Sequence, residues 1–524
     1  MNRGTMQNKL AETPQWDMLV IGGGASGLGV AVDASARGYR TLLVEAHDFA
    51  KGTSSRSTKL VHGGVRYLEQ GDIPLVLEAL RERGLLHQNA PHVVRNLSFI
   101  VPRYQWWEGP FYGIGLKMYD ALAGRLNLAP SRLLNREETL ERIPNIEPEK
   151  LLGGVEYFDG QFDDARLAIV LARTAAEHDA CLLNHTRVLE LTQVDGITNG
   201  AIIEDVFTGE HHTVRAKVVV NATGIFTDTI RRMEKSDLPP VVQASQGVHL
   251  VFDRNWLPGD SALMVPHTDD GRVLFVIPWH DRVLVGTTDT PMDHADVEPR
   301  ALEEEIAFIL RNAGRYLARD PGIEDVLSIF AGQRPLVRKP GRDGAPTKSI
   351  SRNHEVLVSD GGLVSLVGGK WTTYRKMAQD AVDHAALLGG LDEIPCPTEH
   401  LKLHGWCAAA PAGKPEWLAW YGTDAAEMEA LHLEEPAWAT LIHERLPYTK
   451  AAVIWAVRYE MACTLEDVLA RRVRALFLDA RATLEATDAV ADCMANELGW
   501  SPDEKAAAVA EFRSIATSYV ASVK

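Results

Sequence analysis

Residues 17–29, Asp17-Met18-Leu19-Val20-Ile21-Gly22-Gly23-Gly24-Ala25-Ser26-Gly27-Leu28-Gly29, decide the fold together with Glu45. Residues 18–21 are a short apolar run suited to a buried parallel strand. Gly22-x-Gly24-x-x-Gly27 follows at the spacing of a dinucleotide fingerprint. The first glycine permits a tight turn, the second lets backbone approach a pyrophosphate, and the third lets the helix pack closely on the strand. The helix start offers unpaired N–H groups and a positive dipole end, which attract diphosphate. Thr41-Leu42-Leu43-Val44 reads as the second strand, ending at Glu45. That carboxylate lies about 20 residues downstream, placed to accept hydrogen bonds from ribose hydroxyls. Without its flanking strands the motif would be an ordinary glycine-rich turn. With them it predicts binding of an ADP-ribose unit, and does not separate FAD from NAD.

At 524 residues the chain is long enough for two or three domains. A hydrophobic content of 46% and a charged content of 24% are ordinary for a globular protein. The net charge of -17 argues against broad nucleic-acid binding but not against a local basic pocket. Cys181, Cys396, Cys407, Cys463 and Cys493 are scattered, without CxxC or zinc spacing, and read as reduced cysteines of a cytoplasmic protein; no metal site is expected. Residues 1–16 lack the apolar core of a secretory signal, and no apolar run is long enough to span a bilayer. The expectation is a protein that is soluble or peripherally attached to a membrane.

After Glu45 comes Thr53-Ser54-Ser55-Arg56-Ser57-Thr58-Lys59-Leu60-Val61-His62-Gly63-Gly64-Val65-Arg66-Tyr67-Leu68-Glu69. It is too rich in hydroxyls, glycines and basic groups for a core element, and reads either as a polar surface loop or as backbone that approaches something large and flat. With the fingerprint before it, this segment resembles the FAD-dependent, quinone-linked glycerol-3-phosphate dehydrogenases, which share the D-amino acid oxidase-like flavoprotein fold. The resemblance implies that the loop wraps the flavin, with Thr53, Ser54, Ser55, Lys59, Leu60, Gly63 and Gly64 as cofactor contacts. It also implies that His62 and Arg66 face the substrate.

The resemblance continues along the chain. Residues 217–224 read as a buried strand running into Ala222-Thr223-Gly224, a pattern common where a flavoprotein sheet meets FAD a second time. His249, in Gln246-Gly247-Val248-His249, is a structural histidine or, by the resemblance, a substrate-side one. Arg334, in Gly332-Gln333-Arg334-Pro335-Leu336, must be paired if buried. It is a structural ion pair or a bidentate phosphate clamp, and the family's Gly-x-Arg-Pro-Leu favours the clamp. Arg352 matches a second family arginine near the phosphate, at a spacing stretched by residues 339–347. Gly368-Gly369-Lys370-Trp371-Thr372-Thr373-Tyr374-Arg375 is a second glycine turn before a helix. Its dipole would favour negative charge on the flavin pyrimidine. Lys370 is then a flavin-side or substrate-side cation, or else a solvated helix-start lysine; Gly368, Gly369, Thr372 and Thr373 join the cofactor contacts.

Other segments carry structure first. Residues 74–88 have helical spacing, with Leu75, Leu77, Ala79, Leu80, Leu85 and Leu86 available to an apolar face. Asp163 and Asp164 read as helix caps rather than catalysts. Small strands are expected at 188–193, 201–205 and 212–216, and a hairpin across His280-Asp281-Arg282. Residues 106–119 hold Trp106, Trp107 and three other aromatics, suiting a membrane or quinone contact or a domain-packing cluster. Arg471, Arg472 and Arg474 form a partner surface or, as is commoner, helix salt bridges.

The expected fold is α/β: a Rossmann-like FAD-binding domain, an antiparallel-sheet substrate domain and a C-terminal all-helical domain. The expected boundaries are FAD-binding parts at 1–100, 161–235 and 351–390, a cap or membrane-contact part at 101–160, a substrate domain at 236–350 and helices at 395–524. The cationic pocket of Arg66, Arg334 and Arg352 suits a small anion, phosphate being the natural match. The resemblance supplies sn-glycerol 3-phosphate, oxidised at C2 to dihydroxyacetone phosphate, with His62 or His249 as base and Arg66, His249, Arg334 and Lys370 beside the reacting atoms. It also supplies a quinone acceptor and peripheral attachment to the inner face of the cytoplasmic membrane. The alternatives are an O2-using α-glycerophosphate oxidase or another D-amino acid oxidase-like flavoenzyme acting on amines. Oligomeric state, a homodimer included, and the covalency of FAD stay open.

Overall fold

The computed structural model of the protein describes residues 1–64, 72–338, 354–409 and 413–521. Trp16–Ile21 lies at the centre of the first sheet, between Thr41–Val44 and His211–Asn221, both parallel to it. Cys181–Leu183 extends one side. Val364–Gly368 extends the other in parallel, and His354–Val358 closes that edge antiparallel. All six positions of Trp16–Ile21 are buried. A parallel strand covered on both faces needs an apolar run, which residues 18–21 supply, while Asp17 is paired with Arg40 and Lys217. Helices Ala25–Ala36, Asp164–Glu177 and Tyr374–Leu388 share one core with this sheet. At Gly29 a Cβ would meet Tyr374 Cδ2 at 3.0 Å and Ala378 Cβ at 3.2 Å, so two of these helices approach backbone to backbone.

The expected strands at 212–216 and 217–224 are one continuous strand, His211–Asn221. Its outer half pairs antiparallel with Ile197–Asp205, and its inner half joins the parallel sheet. Alternating burial therefore gives way to complete burial along a single strand, and the change of pattern is not a break. Helix Ile73–Asn89 buries Leu75, Ala79, Leu80, Leu85 and Leu86, but Leu77 points outward at 43% exposure.

The second sheet is antiparallel apart from one parallel join between Ala262–Val265 and Val94–Arg103. Val242–Asp253 pairs along its whole length with Val326–Val337, setting Ser245 opposite Arg334 and His249 opposite Phe330. The hairpin between Leu274–Trp279 and Arg282–Gly286 turns on His280 and Asp281, at φ +46° and +58°. Two positive φ values match the right-handed strand twist in a two-residue turn. Asp163 caps Asp164–Glu177 by accepting from Arg166 N–H.

C-terminal helices Lys450–Glu460, Ala480–Leu498 and Pro502–Ala516 share a core with the second sheet. The last begins with a Ser501–Glu504 capping box. Arg471, Arg472 and Arg474 are buried here, each about 2% exposed. They pair with Asp48, Asp467 and Asp164, so they are not a partner surface. All five cysteines are unpaired. Among the described residues no helix is long and apolar enough to cross a membrane.

Candidate active site

A cavity of about 1300 Å³ runs from the C-terminal ends of the parallel strands to the inner face of the second sheet. Ligands of open α/β sheets bind outside the carboxyl ends of the strands. At the first end, Gly22 takes φ +110°, and a Cβ there would stand 2.7 Å from the Ala222 carbonyl oxygen. A Cβ on Gly27 would stand 1.8 Å from the Gly22 carbonyl oxygen. Gly27 therefore packs the helix against the turn and does not line the cavity, whereas Gly22 and Gly24 do. Glu45 lines it too, its carboxylate accepting from Gly23 N–H at 2.6 Å and His47 N–H at 2.9 Å. Ser54 Oγ accepts from Ala25 N–H at 2.9 Å, tying the hydroxyl-rich loop to the first turn of the helix.

The second glycine turn closes over the same cavity. Gly368 and Gly369 take φ +75° and +82°, and a 3-10 turn, Trp371–Thr373, leads into the following helix. Trp371 Nε1 donates to Ser54 O at 2.9 Å, and His62 N–H donates to Thr372 Oγ1 at 3.2 Å. The early and late turns thus hold each other. Ala222, Gly224, Gly368, Gly369, Lys370 and Thr372 all line the cavity.

These residues fit an FAD. The elongated cavity has a glycine cradle at the fingerprint, an acid at the ribose position and a helix start at each turn. Thr53, Ser54, Leu60 and Gly64 face it. Ser55, Lys59 and Gly63, expected contacts of the flavin-wrapping loop, do not, nor does Thr373, expected from the second glycine turn. Lys59 is fully buried, donating to Asp164 and the Ser55 carbonyl, and stands 5.0 Å from the Phe330 ring centre. Burial pushes its pKa down to about 7 against the pull of Asp164. Gly63 N–H donates to Tyr119 Oη at 2.8 Å, and a Cβ on Gly63 would collide with Leu80 and Tyr119. Thr373 is spent on the Lys370 carbonyl.

The same cavity is lined by His62, His249, Arg334 and Lys370, together with Phe99, Tyr157, Met264 and Phe275. Arg66 and Arg352 lie outside the described residues. His249 is 1% exposed and stacks on Phe330 at 4.9 Å. Its Nε2 is 2.9 Å from the Thr58 hydroxyl. Burial pushes the imidazole pKa well below its ordinary value, and the charges of Lys59 and Arg334 push the same way. Arg334 donates to Thr288 O at 3.1 Å and Thr287 Oγ1 at 3.2 Å, with Asp289 Oδ1 at 3.5 Å.

Sequence reasoning missed Thr58, Arg272, Thr287 and Asp289, which also line the cavity. The three last come from a hairpin whose apolar strands were read only as sheet; the one signal was Arg272 directly after a Gly-containing turn.

Residues 17–375 match the family described as FAD dependent oxidoreductase, and residues 363–505 match the C-terminal domain of alpha-glycerophosphate oxidase. The chain is 41% identical over 527 residues to the mitochondrial glycerol-3-phosphate dehydrogenase of Mus musculus, covering 94% of this chain and 72% of that one. It is 36% identical to the mitochondrial enzyme of Saccharomyces cerevisiae, covering 96% and 90%. The crystal structure of the glycerol-3-phosphate dehydrogenase from Bacillus halodurans complexed with FAD superposes with a TM-score of 0.80 at 32% identity, covering 99% of this chain and 97% of that one. The chain belongs to the FAD-dependent glycerol-3-phosphate dehydrogenases.

Proposed function

We propose that this chain oxidises sn-glycerol 3-phosphate at C2 to dihydroxyacetone phosphate. The observation that carries the reading is that Arg334, Lys370, His62 and His249 line the same cavity as the glycine cradle. FAD, when bound, supplies a two-electron acceptor for the C2 hydride. Arg334 offers a planar guanidinium to the phosphate, held from behind by the Thr288 carbonyl. Lys370 adds a second cation to the cavity lining. His249, kept neutral by burial, takes the C2 hydroxyl proton by way of Thr58, whose hydroxyl lines the cavity, accepts that proton and passes its own to Nε2. The apolar wall of Phe99, Tyr157 and Phe275 keeps water from the reacting carbon.

Anaerobic bleaching of the flavin absorbance is the test. Glycerol 3-phosphate should bleach it and glycine should not; bleaching by amines alone would overturn the assignment.

We further propose a quinone as electron acceptor and a peripheral seat on the inner face of the cytoplasmic membrane. Trp106, Ile114, Met118 and Leu133 are 79%, 72%, 46% and 59% exposed around helix Glu108–Ala123. Aromatic and aliphatic side chains clustered at a surface suit a lipid interface. Replacing Trp106 and Trp107 by alanine should cut co-sedimentation with vesicles. Reduction of a quinone analogue without peroxide would separate a dehydrogenase from an oxidase.

A further inference from the structure

Arg272 has no part in the chemistry above. It closes the turn between strands Ala262–Val265 and Leu274–Trp279. Its guanidinium binds Asp270 Oδ2 at 2.5 Å, and its Nη1 stands 3.3 Å from Asp289 Oδ2. Arg334 Nη1 stands 3.5 Å from the other oxygen, Asp289 Oδ1. One buried carboxylate therefore carries a guanidinium at each oxygen. Ser245 donates its hydroxyl to Oδ1 and fixes that carboxylate in place. Arg272 and Arg334 both line the cavity. Arg272 Nη1 is buried yet makes no hydrogen bond among the described residues. A buried donor of this kind calls for an acceptor. A phosphate group presents three oxygens; one fork satisfies two and leaves the third for a neighbouring guanidinium.

We propose that Arg272 is a further arginine of the phosphate seat, presented by Asp289 beside Arg334, and that it sets the preference for a phosphorylated over a neutral polyol. The inference rests on the proposed function and deepens it. A purely structural role would be to pin the 268–272 turn through Asp270 and Thr268. Such a pin affects neutral and anionic ligands alike, whereas a phosphate ligand does not.

The test uses FAD-loaded wild type, Arg272→Gln and Arg272→Lys. It measures KM for glycerol 3-phosphate with a dye acceptor, and competitive inhibition constants for inorganic phosphate and for glycerol. In Arg272→Gln, KM and the phosphate constant should rise at least about tenfold, the size of one lost charge-assisted hydrogen bond. The glycerol constant should stay within about twofold, and Arg272→Lys should recover part of the loss. An unchanged phosphate constant, or equal rises for phosphate and glycerol, would overturn the proposal. If Arg272→Gln fails to fold, Arg272→Lys decides: a rise for phosphate alone supports the role, and no rise removes it. Absence of wild-type bleaching by glycerol 3-phosphate would instead remove the function on which the inference rests.

Discussion

The two ends of the cavity are held by different means. Beneath the cofactor loop, charges are deeply buried and closely paired. Asp48 meets Arg472 Nη1 at 2.6 Å and Arg471 Nε at 2.5 Å. Lys51 meets Glu298 and Glu466 at 2.5 Å, and Arg56 meets Glu298 at 2.7 Å and Tyr519 Oη at 3.0 Å. Burial pushes Glu298 up, but Arg56 and Lys51 outweigh it and hold the carboxyl at about 2. Arg334, by contrast, sits at 3.1 to 3.5 Å from its acceptors and remains partly exposed. On the proposed function the difference has a use: close pairs hold the cofactor loop still, and the looser set around Arg334 exchanges partners with an anion.

Gly24→Val attacks the cofactor end most directly. A Cβ there already stands 3.0 Å from Ser54 Oγ, and two further methyl groups would enter the cradle. The expected product is folded by circular dichroism, colourless and without activity; yellow protein would show that the cradle tolerates bulk. Asp48→Asn comes next, leaving two buried guanidiniums short of their counter-charge. Breaking a buried pair costs about 3–5 kcal/mol, read as a lower thermal midpoint and loss of FAD on dilution. KM measured on the molecules that keep FAD should not move; if it does, the two ends are not separately held.

Arg334→Ala should raise KM for glycerol 3-phosphate at least about tenfold while FAD stays bound. A near-normal KM would remove Arg334 from the phosphate seat. The smallest effect concerns His249. Its depressed pKa puts the acid limb of kcat/KM well below pH 6.5, and a limb at or above that value would point to His62 as base. The same shift has a stability consequence. Below about pH 6.5 the unfolded imidazole binds a proton that the folded one refuses, so stability falls as pH drops through that range. Thr58→Val should slow the reaction by about tenfold or less, with Thr58→Ser restoring most of it, because the hydroxyl holds one hydrogen bond to Nε2.

What was readable from the sequence was local. The fingerprint, Glu45, the Ser501–Glu504 capping box and the His280-Asp281 turn each lie within a few residues, where spacing dictates conformation. His249 and Arg334 were singled out by the resemblance of their segments, and both line the cavity. Lys59, a cofactor contact by the resemblance, is buried on Asp164, 105 positions away, a pairing that no local spacing announces. Thr58 needed His249, 191 positions on. Arg471 and Arg472 needed Asp48, more than 400 positions back. No periodicity reports such pairs, since only the packed fold brings them together.

The bond from Trp371 to Ser54, and those from Arg474 and Tyr519 to Ser55 and Arg56, span most of the polypeptide. During synthesis the fingerprint turn emerges long before the groups that brace the loop following it. A nascent chain halted before residue 371 would own the fingerprint but not the Trp371 bond to Ser54, and one halted before 474 would lack the Arg474 bond to Ser55. A product truncated before residue 371 is expected to hold flavin less firmly than a chain carrying these bonds, and flavin content after gel filtration would check it.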